Sequence, residues 1–429
     1  MTLSLPLEAE SLQQFYQDQL TDNFLPFWNR AVDRQYGGIF TCFSNSGAQL
    51  LSTNKFVWSQ GRFVWTWAHL AEACQRGLLV AENAAQYLET ARLGAEFLMQ
   101  HALLDNGSAA FWLTGTGVPF EANPGQGLDA SFYSDCFVIL GWAEYARVAR
   151  DAHWLTQALD LWHRVRTRLA EGTAKSEPYP VSPGWTAHAH PMILLNTAHT
   201  LYEAARTLKA DPAPVLLEQM HTYVDIILSR QAEGDLLPEL RSNDPTDSDT
   251  LQARHLNPGH VIESMSFIVK ALQVLPLSTP TPHLHQALRI LQHALMVGWD
   301  PEYGGLLRYV DRDGGPPKGR LIGGAYEDLV QSSWDTKLWW PHVEALYATL
   351  LARTISGDLS WEAQYLRLHG YAFATFPQSD PQIREWIQIR DRQGYPVDAV
   401  AGLPVKDPFH ILRSFLLIIE LLTTWGFRG

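Results

Sequence analysis

Roughly twelve stretches with helical apolar spacing, joined by short connections, constrain the fold of this 429-residue chain more than any other feature. They fall near Glu8–Val32, Lys55–Cys74, Ala81–His101, Ser131–Arg150, Asp151–Glu171, His188–Ala210, Pro214–Arg230, His260–Leu275, Pro282–Val297, Trp334–Thr354, Ser360–Phe376 and Pro408–Gly426. The segment Asp105–Asn123, with FWLTGTGVPF inside it, predicts a hairpin. Two breaks between helices, Asp33–Phe40 and Trp299–Leu307, carry the same Tyr-Gly-Gly. No Pro/Ser-rich linker or charge block divides the chain, so one domain over residues 1–429 is expected. Paired helices with hairpins recurring on one side predict an all-α fold, an (α/α)6 barrel with short β-hairpins in the connecting loops on one face. An open superhelix of helix pairs is the alternative, but no repeat with a shared signature is visible.

Composition narrows the partners. The chain is 46% hydrophobic and 18% charged, as a globular protein is. Its 32 Lys and Arg against 45 Asp and Glu give a formal charge of −13, which argues against nucleic acid or an anionic membrane as partner. The most apolar run, Phe415–Leu422, is interrupted by Glu420 and too short to span a bilayer. The start, MTLSLPLEAESLQQ, lacks the basic and apolar regions of a signal peptide. Cys42, Cys74 and Cys136 are too few for a disulfide framework, so reduced thiols and a cytoplasmic location are expected. Sixteen tryptophans and sixteen histidines suit a polar, flat-faced ligand such as a sugar, although helix packing also consumes tryptophan.

In Asn257-Pro258-Gly259-His260-Val261-Ile262-Glu263 a turn signal precedes renewed helical periodicity. A helix beginning near His260 puts Glu263 one turn on and on the same face, where a carboxylate can orient an imidazole. The same residues also fit an ordinary helix start with a solvent-facing histidine.

Several segments together resemble the signatures of the N-acylglucosamine 2-epimerase family: Lys55–Arg62 (KFVWSQGR), Phe132–Cys136 (FYSDC), Asn257–Glu263 (NPGHVIE), Lys337–Ala345 (KLWWPHVEA), Asp407–Arg413 (DPFHILR) and the two Tyr-Gly-Gly loops. They come in the family's order from about Leu20 to Arg413. The resemblance implies an (α/α)6-barrel isomerase working at C1 and C2 of a free reducing sugar. The leading reading is a 2-epimerase for N-acetylglucosamine/N-acetylmannosamine or a related aldose. Aldose–ketose isomerase of the mannose/fructose type and mannose or cellobiose 2-epimerase are alternatives on the same scaffold. The resemblance further implies that Arg62 faces the C1–C2 oxygens, that His260 and His410 flank the sugar carbon, and that Glu263 accompanies His260. His190 falls where the isomerases and cellobiose epimerases carry a further histidine, whereas Pro191–Leu195 looks more like the N-acetylglucosamine enzymes. Trp58, Trp339 and Asn257 complete the expected substrate contacts.

The chemistry fits these residue types. Taking a proton from carbon alpha to an aldehyde requires a base of near-neutral pKa and a cation where the enediolate charge develops. Epimerisation needs a second acid on the opposite face; isomerisation can use one histidine. Arg62 lies between Trp58 and Trp65 and could instead be a stacked structural residue. His188-x-His190 and His283-x-His285 are tight pairs without a carboxylate at ligand spacing, so no metal is expected. No nucleotide-binding loop appears, Gly314-Gly315-Pro316-Pro317 being a turn, and no cofactor is expected. Rival classes are an (α/α)6 glycoside hydrolase, which would need a carboxylate pair, and a non-catalytic sugar-binding protein. Apolar helix faces on a barrel exterior leave room for a homodimer.

Overall fold

Helix α1 (Ala9–Asp18) runs through a π-helical turn, Gln19–Phe24, into Leu25–Arg30 in the computed structural model, which describes residues 7–276, 281–399 and 405–425. The helices that follow are α2 (Val57–Gln75), α3 (Ala84–His101), α4 (Phe132–Ala149), α5 (Ala152–Ala170), α6 (Ala189–Leu208), α7 (Ala213–Asp225), α8 (Pro258–Val274), α9 (Thr281–Gly298), α10 (Trp339–Ser356), α11 (Ser360–Thr375) and α12 (Phe409–Thr423). The chain's first six residues, the expected helix end at Gly426 and part of the turn-rich segment before α12 lie outside the described residues.

The even-numbered helices form a closed inner ring. Each packs on the next, α2 on α4 and so on to α12, which returns to α2. The odd-numbered helices lie outside, α3 on α2, α5 on α4, α7 on α6, α9 on α8, α11 on α10 and α1 on α12. Burial follows this division. Every residue of α4 from Phe132 to Ala146 is buried, as a helix enclosed on all sides requires. Outer helix α5 buries Trp154, Leu155, Ala158, Leu161, Trp162 and Val165, one apolar stripe at helical spacing. Where α2 crosses α4, a Cβ on Gly61 would lie 2.2 Å from the Phe137 carbonyl oxygen, and one on Gly141 2.6 Å from that of Gly61. Two glycines let the backbones touch.

Inner helices connect to outer ones tightly, as from Ala149 to Ala152 and from Ser356 to Ser360, while the returns are long and carry the strands. Lys55–Phe56, Trp185–Ala187, His255–Leu256 and Lys337–Leu338 lie just ahead of α2, α6, α8 and α10. They pair antiparallel with Trp112–Leu113, Leu240–Ser242, Val310–Asp311 and Ile389–Arg390. Among the strand pairs of the described residues, Trp112–Leu113 with Pro119–Phe120 is the hairpin of the expected local kind, and the other pairs join loops distant in sequence. All of this lies at the N-terminal ends of the inner ring.

Several elements depart from expectation, among them α10, which opens at Trp339 rather than Trp334 because Lys337–Leu338 is a strand. Val57 rather than Lys55 opens α2, because Lys55 is a strand residue with a fully buried side chain. Helix α8 starts at Pro258, which needs no amide partner in the first turn. Short helices Leu251–Arg254 and Ala325–Ser333 were too brief for periodicity to announce. The cysteines are free and buried, and no described helix is long and apolar enough to cross a membrane.

Candidate functional site

The N-termini of the inner helices surround a cavity of about 370 Å³. Trp58 and Arg62 enter it from α2, His260 and Glu263 from α8, Trp339 and Trp340 from α10, and Phe409 and His410 from α12. Glu239 and Asp407 reach it from the loops. Phe137, Met192, Ile193 and Phe267 add apolar surface to the lining. Helix N-termini carry partial positive charge, so this end of the ring favours an anion or a developing oxyanion.

His260 sits in the first turn of α8 because Asn257 caps that turn, its Oδ1 accepting from the His260 amide at 3.2 Å. The imidazole Nδ1 lies 2.9 and 3.0 Å from the two oxygens of Glu239. A carboxylate only accepts, so Nδ1 carries the proton and Nε2 is the atom left for a ligand. Burial pulls the His260 pKa down, but the Glu239 charge outweighs it and holds the pKa above the usual histidine value. Glu239 is itself held well below the usual carboxylate range: burial pushes it up, and His260 and His188 more than reverse that.

His410 repeats the arrangement across the cavity. Its Nδ1 lies 2.8 Å from Glu344 Oε1, and Glu344 also accepts from Arg413 Nη1 at 2.8 and 2.9 Å. Trp340 contacts both imidazoles, with ring centroids 5.4 Å from His260 and 5.3 Å from His410. Gly259 makes room for that indole, since a Cβ there would meet it at 2.4 Å.

Glu263 is not the hydrogen-bonded partner of His260. One turn further along α8 it lies deeper in the ring, 3.9 Å from His410 Nδ1 and 3.8 Å from Arg413 Nη1. Burial and the neighbouring charge of Glu344 raise its pKa above the usual carboxylate value. The spacing rule found the face and missed the partner, because His260 turns instead toward the loop that brings Glu239.

Arg62 donates through Nη1 to Asp407, while Trp58, Phe137 and Phe409 surround the guanidinium at 4.9, 4.2 and 5.0 Å. Its Nε has no hydrogen-bond partner among the described residues. The aromatic cage fixes a cation with donors to spare.

Two expected substrate contacts are placed elsewhere. Asn257 lies outside the cavity lining and spends its side-chain oxygen on the α8 cap. His190 is also outside the lining, its ring edge-on to Phe132 at 5.1 Å and beside Tyr133 at 6.0 Å. Burial lowers its pKa to about 4. Trp58 and Trp339 do line the cavity. Sequence reasoning missed Glu239 and Glu344, 21 residues before His260 and 66 before His410. No local spacing signals such pairs.

Among the described residues two groups bring three metal-capable atoms together: Glu263, Glu344 and His410 here, and His69, Glu72 and Glu144 at the other end of the ring. In each, an arginine, Arg413 or Arg147, already pairs with the carboxylates and supplies positive charge.

The sequence profile described as N-acylglucosamine 2-epimerase (GlcNAc 2-epimerase) matches residues 38–414. The N-acylglucosamine 2-epimerase of Bos taurus is 30% identical over 409 residues, covering 94% of this chain and 89% of that protein. Among solved structures, the cellobiose 2-epimerase from Spirochaeta thermophila DSM 6192 superposes with a TM-score of 0.75 at 18% identity, covering 97% of this chain and 98% of that one. A D-mannose isomerase superposes at 0.72 and 18% identity, covering 97% and 100%. These structural likenesses are to the (α/α)6 barrel.

Proposed function

We propose, for a chain that belongs to the N-acylglucosamine 2-epimerase family, inversion at C2 of a reducing N-acylhexosamine of the N-acetylglucosamine/N-acetylmannosamine kind. The protein is a sugar isomerase by family, and its substrate and residue roles are our reading. One observation carries that reading: two imidazoles, each tied at Nδ1 to its own buried carboxylate, line one cavity with a caged arginine. The cavity volume is near the lower end of small-ligand sites and suits one sugar ring. The apolar part of the lining, to which Met192 and Ile193 contribute, suits an apolar substituent such as an acyl methyl.

In the reaction we envisage, the ring-opened sugar presents its C2–H to Nε2 of one histidine. The proton leaves, and the electrons delocalise through C1 onto its oxygen. Arg62 and the helix N-termini meet that negative charge, a kind of stabilisation worth about 3 kcal/mol where water is excluded. The other histidine returns a proton to the opposite face. Its own carboxylate keeps each imidazole oriented whichever way the reaction runs. His260, with its raised pKa, holds its second proton more tightly than a free imidazole and is the ready acid. Glu263 sits beside His410, its pKa raised by burial and by the Glu344 charge.

The proposal extends to residues 1–429 as one domain, to a cytoplasmic protein needing no cofactor, and to a homodimer, which sedimentation would report. Incubation with N-acetylmannosamine, mannose and cellobiose in heavy water, read by NMR, tests the reaction. The expected product is the C2 epimer of the N-acylhexosamine with deuterium at C2. A ketose product would instead favour the aldose–ketose isomerase, and unchanged sugars without deuterium would sink the proposal for all three.

A further inference from the structure

Behind Glu239 stands a second imidazole that the reaction above does not use. His188 precedes α6, is 1% exposed, and neither ring nitrogen has a hydrogen-bond partner among the described residues. Its Nδ1 lies 3.9 Å from Glu239 Oε2, about 1 Å beyond hydrogen-bond length. Local backbone pairing holds the two residues side by side: the His188 amide donates to the Glu239 carbonyl at 3.0 Å, next to the Ala187–Leu240 strand pair. Buried polar atoms are normally satisfied, so an imidazole stranded this near a carboxylate calls for a role. Glu239 has lone pairs to spare, since both of its oxygens share the single Nδ1–H of His260.

We propose that His188 is a positioning residue that acts on His260 through Glu239, with Nδ1–H of His188 closing on Glu239 Oε2 once His260 has given its proton to the substrate. With His260 charged, Glu239 is satisfied and His188 stands off. With His260 neutral, the carboxylate has lost the stronger of its two attractions, and a second donor keeps it in place for the next turnover. No proton leaves His188; the movement is a hydrogen bond formed and released. The inference rests on the reading that His260 transfers the proton.

Volume and donor capacity can be separated by substitution. In His188→Asn the side-chain amide keeps a donor near the position of Nδ1, while His188→Phe keeps a ring without one. With N-acetylmannosamine as substrate, the Asn variant should stay within about threefold of wild-type kcat, and the Phe variant should lose about tenfold or more with little change in KM, the pattern of an interaction made during the chemical step. In a Glu239→Gln background the Phe substitution should add no further loss, because the two groups act as a unit. Space-filling alone predicts the reverse order, the Phe variant matching or exceeding the Asn variant, and that order overturns the inference. So does full additivity with Glu239→Gln.

Thermal unfolding accompanies each assay. Should the Phe variant not fold, nitrogen-15 spectra of the wild-type histidine rings decide: His188 is expected as the Nδ1–H tautomer, and the Nε2–H tautomer contradicts the proposal. Failure of the underlying reading looks different, because a wild-type protein with no C2 exchange, or a fully active His260→Asn variant, removes His260 itself.

Discussion

Glu239 and Glu344 decide which atom of each imidazole is free, so at the scale of residues the site is two histidine–carboxylate pairs and one caged arginine. Replacing Glu239 by Gln keeps shape and a possible hydrogen bond but removes the charge that raises the His260 pKa. We expect kcat to fall about a hundredfold with KM little changed, the scale of one well-placed acid–base contribution. Steady-state kinetics on both epimers checks it, and a loss confined to KM would move Glu239 into substrate binding. A turn signal before a helix start made His260 legible, and the family resemblance of the segments around them made His410 and Arg62 legible. Their carboxylates were not legible, because Glu239 comes from a loop beside a strand and Glu344 from another helix. Glu263, the one carboxylate at the right local spacing, sits instead by His410 and Arg413.

The two Tyr-Gly-Gly loops are the same device used twice at the scale of elements. In the first, Lys55 Nζ donates to Asp33 Oδ2 at 2.7 Å and to the Gly37 carbonyl at 2.7 Å. In the second, Lys337 pairs with Asp300 at 3.2 Å and donates to the Gly304 carbonyl. Each lysine lies just ahead of an inner helix, and that helix then receives the loop again: Ile39 donates its amide to Gln60 Oε1, and Leu306 to His342 Nε2, both at 2.8 Å. The glycine pairs adopt positive φ of 89° and 80°, and 72° and 77°, where a side chain would be strained. His342 therefore belongs to a loop anchor and not to the site, although it lies in one of the signature motifs; burial lowers its pKa to about 3. Lys55→Met strands buried Asp33 and should cost about 3 kcal/mol in chemical denaturation, whereas Lys337→Met should cost less, because Arg392 still pairs with both oxygens of Asp300. A loss below about 1 kcal/mol in Lys55→Met would mean that the first loop is held by its backbone alone.

At the scale of the whole molecule the ring has a polar plug at the end away from the cavity. His69 Nδ1 lies 2.6 Å from Glu144 and Nε2 3.3 Å from Glu420, so both ring nitrogens are within ion-pair distance of a carboxylate, which favours the imidazolium. Arg147 and Arg76 complete the cluster, joining α2, α4 and α12. Burial opposes the His69 charge, but Glu420 and Glu144 prevail and raise its pKa from 6.5 to about 9. The raised value means that this stabilisation is fully present below about pH 6.5 and is lost as pH rises through about 9. Wild-type Tm should therefore decline across that window, and His69→Gln, less stable at pH 6, should decline less; parallel curves would remove His69 as the cause. Pattern made the ring itself legible, because about twelve helices in pairs, with short connections and hairpins recurring on one side, leave few arrangements besides a double ring. What pattern could not show is which inward side chains meet across that ring, as His260 and His410 do. The central claim is that those two histidines serve opposite faces of one carbon, and single variants in heavy water test it most directly. His260→Asn and His410→Asn should each block epimerisation, while each retains exchange of the C2 hydrogen for deuterium from one epimer only, a different one in each variant. Epimerisation surviving in either variant, or exchange of the same epimer in both, would contradict it.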